Sequence, residues 1–219
     1  MENMAKSKMI NGETVLGTFF ESGSTITVEC LALAGLDYII IDTEHGPFES
    51  ESVIEFVCAA KRRNLVPFVR TKDASRPAIL KMLDVGAEGL IVPDIRNIEE
   101  VRRLVVYSKY YPLGERGVAF GRGCGYGFAE PKDMKAYFEE CNPETLLIPQ
   151  CETLECLEDI ENIVAVDGVG GIFIGPYDLS TALGKPGDFE ADIVVQAIQR
   201  ILTACKSVGK FAMIYAQDG

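Results

Sequence analysis

The chain has 219 residues, and its composition excludes several classes of protein. A hydrophobic fraction of 47% and a charged fraction of 25% are those of an ordinary folded domain. The formal net charge of −12 argues against nucleic acid or an anionic membrane as a partner, because phosphate binding needs clustered Lys and Arg. The length suits one core, so we interpret residues 1–219 as a single domain.

Cysteine usage and hydropathy indicate the cellular setting. The seven cysteines are an odd number without a C-x-x-C pair, which is typical neither of a disulfide framework nor of a zinc site. Charges interrupt every apolar run well before the roughly 18 residues that a membrane span needs. The N-terminus has no apolar signal region. We therefore expect a cytoplasmic protein without a membrane segment.

Short apolar segments alternate with amphipathic ones along the chain. Strands are predicted at 15–20, 38–41, 66–69, 90–92, 145–148, 172–174 and 211–215. Helices are predicted at 24–34, 50–63, 77–85, 98–105, 134–140, 153–160 and 194–205. Seven such units favour an α/β fold of the (β/α)8 TIM-barrel type over an open doubly wound sheet.

The predicted barrel is one unit short. A closed barrel needs an eighth strand and helix, on the order of 30 residues more. Three alternatives stay open: the eighth unit is missing because the sequence is truncated at its C-terminus, the sheet stays open, or another chain fills the gap.

Residues 111–130 interrupt the alternation with six glycines. This glycine density argues against any regular element and predicts a long mobile loop. No frame of the stretch gives G-x-G-x-x-G or a Walker pattern, so a phosphate cradle is disfavoured. A lid or a contact between subunits is the favoured interpretation.

Residues 38–47, which read Y-I-I-I-D-T-E-H-G-P, are the first stretch that is predicted to carry reactive groups. An apolar strand runs here into Asp42, Glu44 and His45, the only histidine of the chain. Parallel α/β proteins place their reactive groups where strands end. The alternative is that His45 only caps the strand and bonds a neighbouring loop.

In a barrel, the residues that follow each strand converge at one mouth. Several carboxylates gathered there would resist ionisation unless a cation lies among them. Two carboxylates, with the other positions left to water and substrate, suit Mg²⁺ or Mn²⁺ better than zinc. The residues collected in this way are Asp42, Glu44, His45, Arg70, Gln150, Glu152 and Asp178.

Five segments in register resemble the HpcH/HpaI aldolase family, the metal-dependent class II pyruvate aldolases. They are I-D-T-E-H-G-P (41–47), F-V-R (68–70), L-D-V-G-A (83–87), P-Q-C-E-T (149–153) and F-I-G-P-Y-D-L-S (173–180). The resemblance implies a TIM barrel of the phosphoenolpyruvate/pyruvate-domain type. It also implies reversible cleavage of a 4-hydroxy-2-oxo acid, such as 4-hydroxy-2-oxo-heptanedioate or a 2-dehydro-3-deoxy sugar acid, to pyruvate and an aldehyde. The implied assembly is a homo-oligomer, a hexamer built as a trimer of dimers.

The resemblance also implies roles for individual residues. Glu152 and Asp178 would be the protein ligands of a divalent metal, Mg²⁺ or Mn²⁺, with Co²⁺ possible. Arg70 would bind the keto oxygen and stabilise the enolate. His45 would act as acid and base on the hydroxyl of the cleaved carbon, oriented by Asp42.

Further residues are implied in binding and support. Gln150, Gly175 and Pro176 would contribute to the substrate site, and Asp84 would support His45 from a neighbouring subunit.

Two departures from the family pattern stand out. The stretch G-R-G-C-G (121–125) differs beside its arginine, where the family usually has alanine, and Asp94 stands where an apolar residue is more usual.

Other interpretations remain open. Glu152 and Asp178 could be helix caps, and Arg70 could form a structural ion pair. A class I aldolase would use a lysine Schiff base, with Lys72 as the nearest candidate. A catalytically inactive barrel, kept for binding or assembly, is the interpretation outside enzymology. The sequence leaves the aldehyde open among succinic semialdehyde, glyoxylate, lactaldehyde and a sugar-derived aldehyde.

Overall fold

The computed structural model describes residues 2–128 and 133–217, and its centre is a curled parallel sheet. Seven strands pair in sequence order, each with its neighbour along the chain. Their register places Asp42 opposite Arg70 at the carboxyl ends of two adjacent strands. The strands are β1 (Gly17–Phe20), β2 (Tyr38–Asp42), β3 (Val66–Arg70), β4 (Gly89–Val92), β5 (Leu146–Cys151), β6 (Gly171–Ile174) and β7 (Phe211–Ile214).

Helices connect successive strands and cover the outside of the sheet. One 3₁₀ segment, Arg122–Gly127, lies in the glycine-rich stretch. The helices are α1 (Met4–Ile10), α2 (Thr25–Leu33), α3 (Ser50–Arg62), α4 (Arg76–Asp84), α5 (Ile98–Ser108), α6 (Met134–Glu144), α7 (Leu154–Glu158), α8 (Ile160–Val164), α9 (Pro176–Ala182) and α10 (Asp192–Ser207).

All seven predicted strands are confirmed, with ends that move by up to three residues. Two helices were not predicted. Helix α1 is capped by the side chain of Asn3, which accepts the backbone N–H of Lys6 at 3.0 Å. Helix α9 begins at Pro176, whose fixed φ suits a first helical position.

Two further expectations are corrected. The helix predicted for 153–160 is divided into α7 and α8, because Asp159 between them has a non-helical backbone, with φ −106° and ψ 15°. The glycine-rich stretch does contain a regular element, the 3₁₀ segment, whose kink is possible because Gly125 adopts a φ of +57°. Residues 129 and 130 of that stretch lie outside the described residues.

Apolar side chains fill both sides of the sheet. One cluster lies between the strands and the outer helices, and a second lies inside the curl, where Ile40, Phe68 and Ile91 point inward from successive strands. Across the inside, the ring of Phe19 in β1 lies 5.9 Å from that of Phe173 in β6. The sheet therefore curls enough for side chains of β1 and β6 to meet across its interior. Within the described residues, no ladder joins β7 to β1.

A buried polar network closes the amino end of the sheet. The backbone N–H of Asn3 donates to Glu144 Oε2 at 2.7 Å. Lys109 Nζ donates to the carbonyl oxygen of Asn142 at 2.7 Å. The side chain of Asn142 accepts the N–H of Tyr110 and donates to its carbonyl oxygen, at 2.7 and 2.9 Å. These hydrogen bonds join the start of the chain and the segment after α5 to helix α6, which precedes β5.

All seven cysteines are free thiols. In the part of the chain that the structure describes, no helix combines the length and apolar character that crossing a membrane requires.

Candidate active site

The predicted site residues other than Asp84 lie around the carboxyl ends of the strands, at one mouth of the sheet. Two cavities adjoin there, and Asp178 lines both. The inner cavity, about 290 Å³, is lined by residues that include Arg70 and Gln150. The outer cavity, about 520 Å³, is lined by residues that include His45 and Glu152. The topology thus unites residues more than 100 positions apart in sequence.

Arg70, the last residue of β3, is held by two carboxylates. Its Nε and Nη2 donate to the two oxygens of Asp42, at 2.9 and 2.5 Å. Its Nη1 lies 3.1 Å from Glu44 Oε2, an ion pair without hydrogen-bond geometry. The guanidinium also lies over the ring of Phe19, 4.7 Å from the ring centroid. Since a guanidinium has five N–H donors, three remain for a substrate oxygen.

The two carboxylates around Arg70 differ in their electrostatics. Burial raises the pKa of Asp42, but the hydrogen bonds and charge of Arg70 outweigh it and hold that pKa below its usual range. For Glu44, burial outweighs the opposing charges of Arg70 and His45, so the pKa is raised. Asp42 is therefore the fixed counter-ion of Arg70.

His45 lies on the exposed turn after β2, with 68% of its side chain accessible. Its backbone N–H donates to Asp42 Oδ1 at 3.4 Å, whereas its Nε2 lies 3.9 Å from Glu44 Oε2. Asp42 thus contacts the backbone of this turn, and Glu44 is the carboxylate that faces the imidazole. The turn needs Gly46, because a Cβ there would lie 2.2 Å from the carbonyl oxygen of Asp42.

Glu152 and Gln150 are buried together at the end of β5, with 8% and 2% exposure. Glu152 Oε2 accepts a short hydrogen bond from Gln150 Nε2. Gln150 Oε1 is buried without a hydrogen-bond partner in the described part of the chain. Burial raises the pKa of Glu152, and the negative charge of Asp178 adds to this rise. A cation between the two carboxylates would relieve both effects.

Asp94, the departure noted after β4, positions Glu152. Its φ of +53° lies in the left-handed region, which Asp tolerates better than an apolar branched residue does. In this conformation its N–H donates to Glu152 Oε1 at 2.8 Å. Its side chain pairs with Arg96 at 2.9 Å. The unusual residue is thus explained by the backbone turn that fixes Glu152.

The chemistry of Glu152 and Asp178 fits an oxygen-preferring divalent metal. A Cβ at Gly175 would lie 2.7 Å from Glu152 Oε2 and 3.2 Å from Gln150 Nε2, so a glycine keeps this space open. Within residues 2–128 and 133–217, no group of three or more His, Cys, Asp or Glu side chains forms a fuller ligand set. Two carboxylates leave the remaining positions to water and substrate, as Mg²⁺ sites commonly do.

Some predicted residues lie elsewhere or take a different place. Asp84 ends α4, away from His45 of the same chain, and pairs with Arg116 at 3.1 Å. Gly175 and Pro176 are buried walls of the inner cavity. Sequence reasoning left Glu44 without a role. The only feature of the sequence that could have indicated a role for Glu44 was its place two positions after Asp42, on the same turn as His45.

Comparisons with known proteins identify relatives of this chain. Over 220 residues, the chain is 34% identical to 2-keto-3-deoxy-L-rhamnonate aldolase of Klebsiella pneumoniae, covering all of this chain and 80% of the relative. It is also 34% identical to hydroxypyruvate/pyruvate aldolase of Roseobacter denitrificans, covering 94% of this chain and 81% of the relative.

A solved structure and a family profile add to these relatives. The structure of an HpcH/HpaI aldolase from Desulfitobacterium hafniense superposes with a TM-score of 0.90 at 32% identity, covering 98% of this chain and 82% of the other. The profile named HpcH/HpaI aldolase/citrate lyase matches residues 16–217. The chain therefore belongs to the HpcH/HpaI aldolase/citrate lyase family.

Proposed function

We propose that this protein is a metal-dependent aldolase that reversibly cleaves a 4-hydroxy-2-oxo acid to pyruvate and an aldehyde. One observation carries the proposal: Arg70 faces the same mouth as the carboxylates of Glu152 and Asp178. A retro-aldol reaction develops negative charge on the keto oxygen. A cation and a guanidinium at that oxygen stabilise this charge more in the transition state than in the substrate.

Glu152 and Asp178 would hold the metal in this proposal. The cofactor is Mg²⁺ or Mn²⁺, with Co²⁺ as a further candidate, because the donors are carboxylate oxygens. When bound, it supplies Lewis-acid polarisation of the substrate's oxygens. The unpartnered Gln150 Oε1 supports a polar ligand beside Glu152, since buried acceptors are rarely left unpaired.

Arg70 binds the keto oxygen and stabilises the enolate with its remaining N–H donors. The two hydrogen bonds that Arg70 donates to Asp42 fix the plane of the guanidinium before substrate arrives. Such preorganisation avoids a reorientation cost during the reaction. Gln150, Gly175 and Pro176 form the wall against which the pyruvate half lies.

His45 takes the proton from the hydroxyl of the carbon that becomes the aldehyde, and returns it in the reverse reaction. Its exposed imidazole lies on the outer cavity, away from the inner wall of Gln150 and Gly175. Asp42 orients His45 through the backbone of the turn. Glu44 Oε2, 3.9 Å from Nε2 of His45, is the carboxylate that faces the imidazole.

The same proposal covers fold and assembly. We propose that the seven strands belong to a single (β/α)8 barrel domain, in which an eighth strand would lie between β7 and β1. We also propose a cytoplasmic homo-oligomer, a hexamer built as a trimer of dimers, in which Asp84 supports His45 of a neighbouring subunit. Exposed apolar side chains in the glycine-rich stretch support a contact between subunits, with Phe120 and Phe128 73% and 87% accessible.

The experiment measures pyruvate release from a 4-hydroxy-2-oxo acid, with Mg²⁺ and with a chelator. We expect release that the chelator abolishes, that added Mg²⁺ or Mn²⁺ restores, and that Asp178→Asn removes. Borohydride in the presence of pyruvate tests the Schiff-base alternative at Lys72. A covalently trapped lysine, or release that survives the chelator, contradicts the metal route. No turnover and no metal uptake would support an inactive barrel.

A further inference from the structure

The outer cavity carries an inference about the aldehyde, which rests on the proposed function. Arg70 and Gln150, the pyruvate-side groups, line the inner cavity, whereas His45 lines the outer one. The carbon that becomes the aldehyde must lie near His45, which exchanges a proton with its hydroxyl. The rest of the aldehyde therefore extends into the outer cavity.

The charge of the outer cavity is negative. Six carboxylates line it, against two permanent cations, Lys72 and Arg96. Even a bound divalent cation leaves the lining with a net negative charge. Arg96 is further neutralised by Asp94 at 2.9 Å and by Glu155 at 3.4 Å. A second carboxylate or a phosphate on the aldehyde would meet like charge here.

Lys72 and Asp73 supply opposite hydrogen-bonding character on the β3 side of this cavity. Both side chains are exposed, and Lys72 makes no hydrogen bond or ion pair with the rest of the described chain. Asp73 Oδ1 accepts the N–H of Ser75 at 2.8 Å, which fixes its carboxylate. An ammonium only donates and a carboxylate only accepts, whereas a hydroxyl group does both.

We propose that the aldehyde is neutral and hydroxylated, and that Lys72 and Asp73 select it through its hydroxyl groups. Lys72 donates to a hydroxyl oxygen, and Asp73 accepts a hydroxyl proton. Both residues determine specificity and take no part in bond cleavage. A carboxylated aldehyde is disfavoured by the charge, and an unsubstituted aldehyde lacks the hydrogen bonds.

The test measures aldol addition of pyruvate, with Mg²⁺, to three aldehydes. These are glyceraldehyde, propanal with the same carbon skeleton but no hydroxyls, and the anionic succinic semialdehyde. We expect kcat/KM for glyceraldehyde to exceed each of the others at least about tenfold, the effect of one or two hydrogen bonds. Lys72→Met should lower the glyceraldehyde-to-propanal ratio about tenfold. Lys206→Met, at the end of α10, is the matched control and should leave the ratio unchanged.

A second variant tests the effect of the negative charge of the outer cavity. Asp73→Asn removes one negative charge and should raise the ratio of succinic semialdehyde to propanal. A wild-type preference for succinic semialdehyde that Lys72→Met abolishes would overturn the proposal, because Lys72 would then bind a carboxylate. Equal kcat/KM for glyceraldehyde and propanal would overturn it as well.

The proposed function can be judged separately, from exchange of the pyruvate methyl protons with deuterium oxide. Metal-dependent exchange without the expected preference overturns the selectivity alone. Absence of both exchange and turnover overturns the proposed function, and the selectivity with it.

Discussion

The two ends of the sheet both bury polar groups, but they use them differently. At the amino end, Asn142 donates to and accepts from the backbone of Tyr110, and Lys109 donates to carbonyl oxygens. At the mouth, Glu44 Oε2 and Gln150 Oε1 are buried without a hydrogen-bond partner in the described residues. The amino end satisfies these two side chains within the chain, although Ser108 Oγ, next to Lys109, has no hydrogen-bond partner in the described residues. The mouth instead leaves unpaired acceptors beside the two cavities.

This contrast suggests that the side chains at the mouth serve the reaction and that those at the amino end serve the stability of the fold. An unpaired buried polar atom costs free energy, and one beside a cavity can gain its partner from a ligand or substrate. Substitutions at the mouth should therefore change activity more than folding. Substitutions at the amino end should change folding more than activity.

The largest effect is expected from Arg70→Lys. Lysine cannot bind Asp42 in two places and still donate to the keto oxygen, so kcat should fall about 10³-fold, the effect of losing an oxyanion donor. Pyruvate release measures it. Arg63→Lys, which preserves a surface ion pair with Glu29, is the control and should keep full activity. A fall in kcat of less than about tenfold would show that Arg70 does not stabilise the charge on the keto oxygen.

His45→Ala comes next, with kcat lower by about 10²-fold because proton transfer loses its side chain. The affinity for Mn²⁺, measured by calorimetry, should stay at the wild-type value, since Glu152 and Asp178 are intact. Loss of Mn²⁺ binding in this variant would mean that the roles of His45 and the carboxylates are assigned wrongly.

At the other end of the sheet, Asn142→Leu tests the structural network. It leaves the buried N–H of Tyr110 without its acceptor, while the carbonyl oxygen of Tyr110 still accepts the N–H groups of Leu113 and Gly114. The lost acceptor should lower the free energy of unfolding by about 2 kcal/mol. Urea denaturation measures this, and kcat of the folded protein should not change. An unchanged free energy of unfolding together with a reduced kcat would contradict the claim that the amino end serves stability more than activity.

The smallest expected effect is a pH dependence at Asp42. Its pKa is lower in the folded protein than the usual value near 3.9, so its contribution to stability is complete above pH 4. The contribution is lost as the pH falls through the lowered pKa. The difference in unfolding free energy between wild type and Asp42→Asn should therefore shrink below pH 4. A difference that grows on acidification would contradict the sign.

Much of the fold followed from sequence periodicity, because each strand is an apolar run and most helices are amphipathic. Helices α1 and α9 were missed for a local reason: they depend on the Asn3 cap and on Pro176 more than on an apolar stripe. The 3₁₀ segment was missed because glycine density predicts turns without saying which φ values they adopt.

The convergence of most predicted site residues at the mouth also followed from strand order, whereas Asp84, Gly175 and Pro176 were implied by the family resemblance. The roles of these residues stay predictions. Their contacts could not be predicted. The sequence does not show that Asp42 binds Arg70 or that Glu44 faces His45, because both depend on side-chain directions within one tight turn. Nor does it reveal the left-handed backbone of Asp94.

The most direct test of the central claim is exchange of the pyruvate methyl protons in deuterium oxide, followed by NMR without any aldehyde. The reaction reports enolate formation alone. We predict exchange by the wild-type protein with Mg²⁺, none with a chelator, and strong loss in Asp178→Asn and Arg70→Lys. Exchange that continues in the chelator and in Asp178→Asn would contradict a metal-stabilised enolate at this mouth.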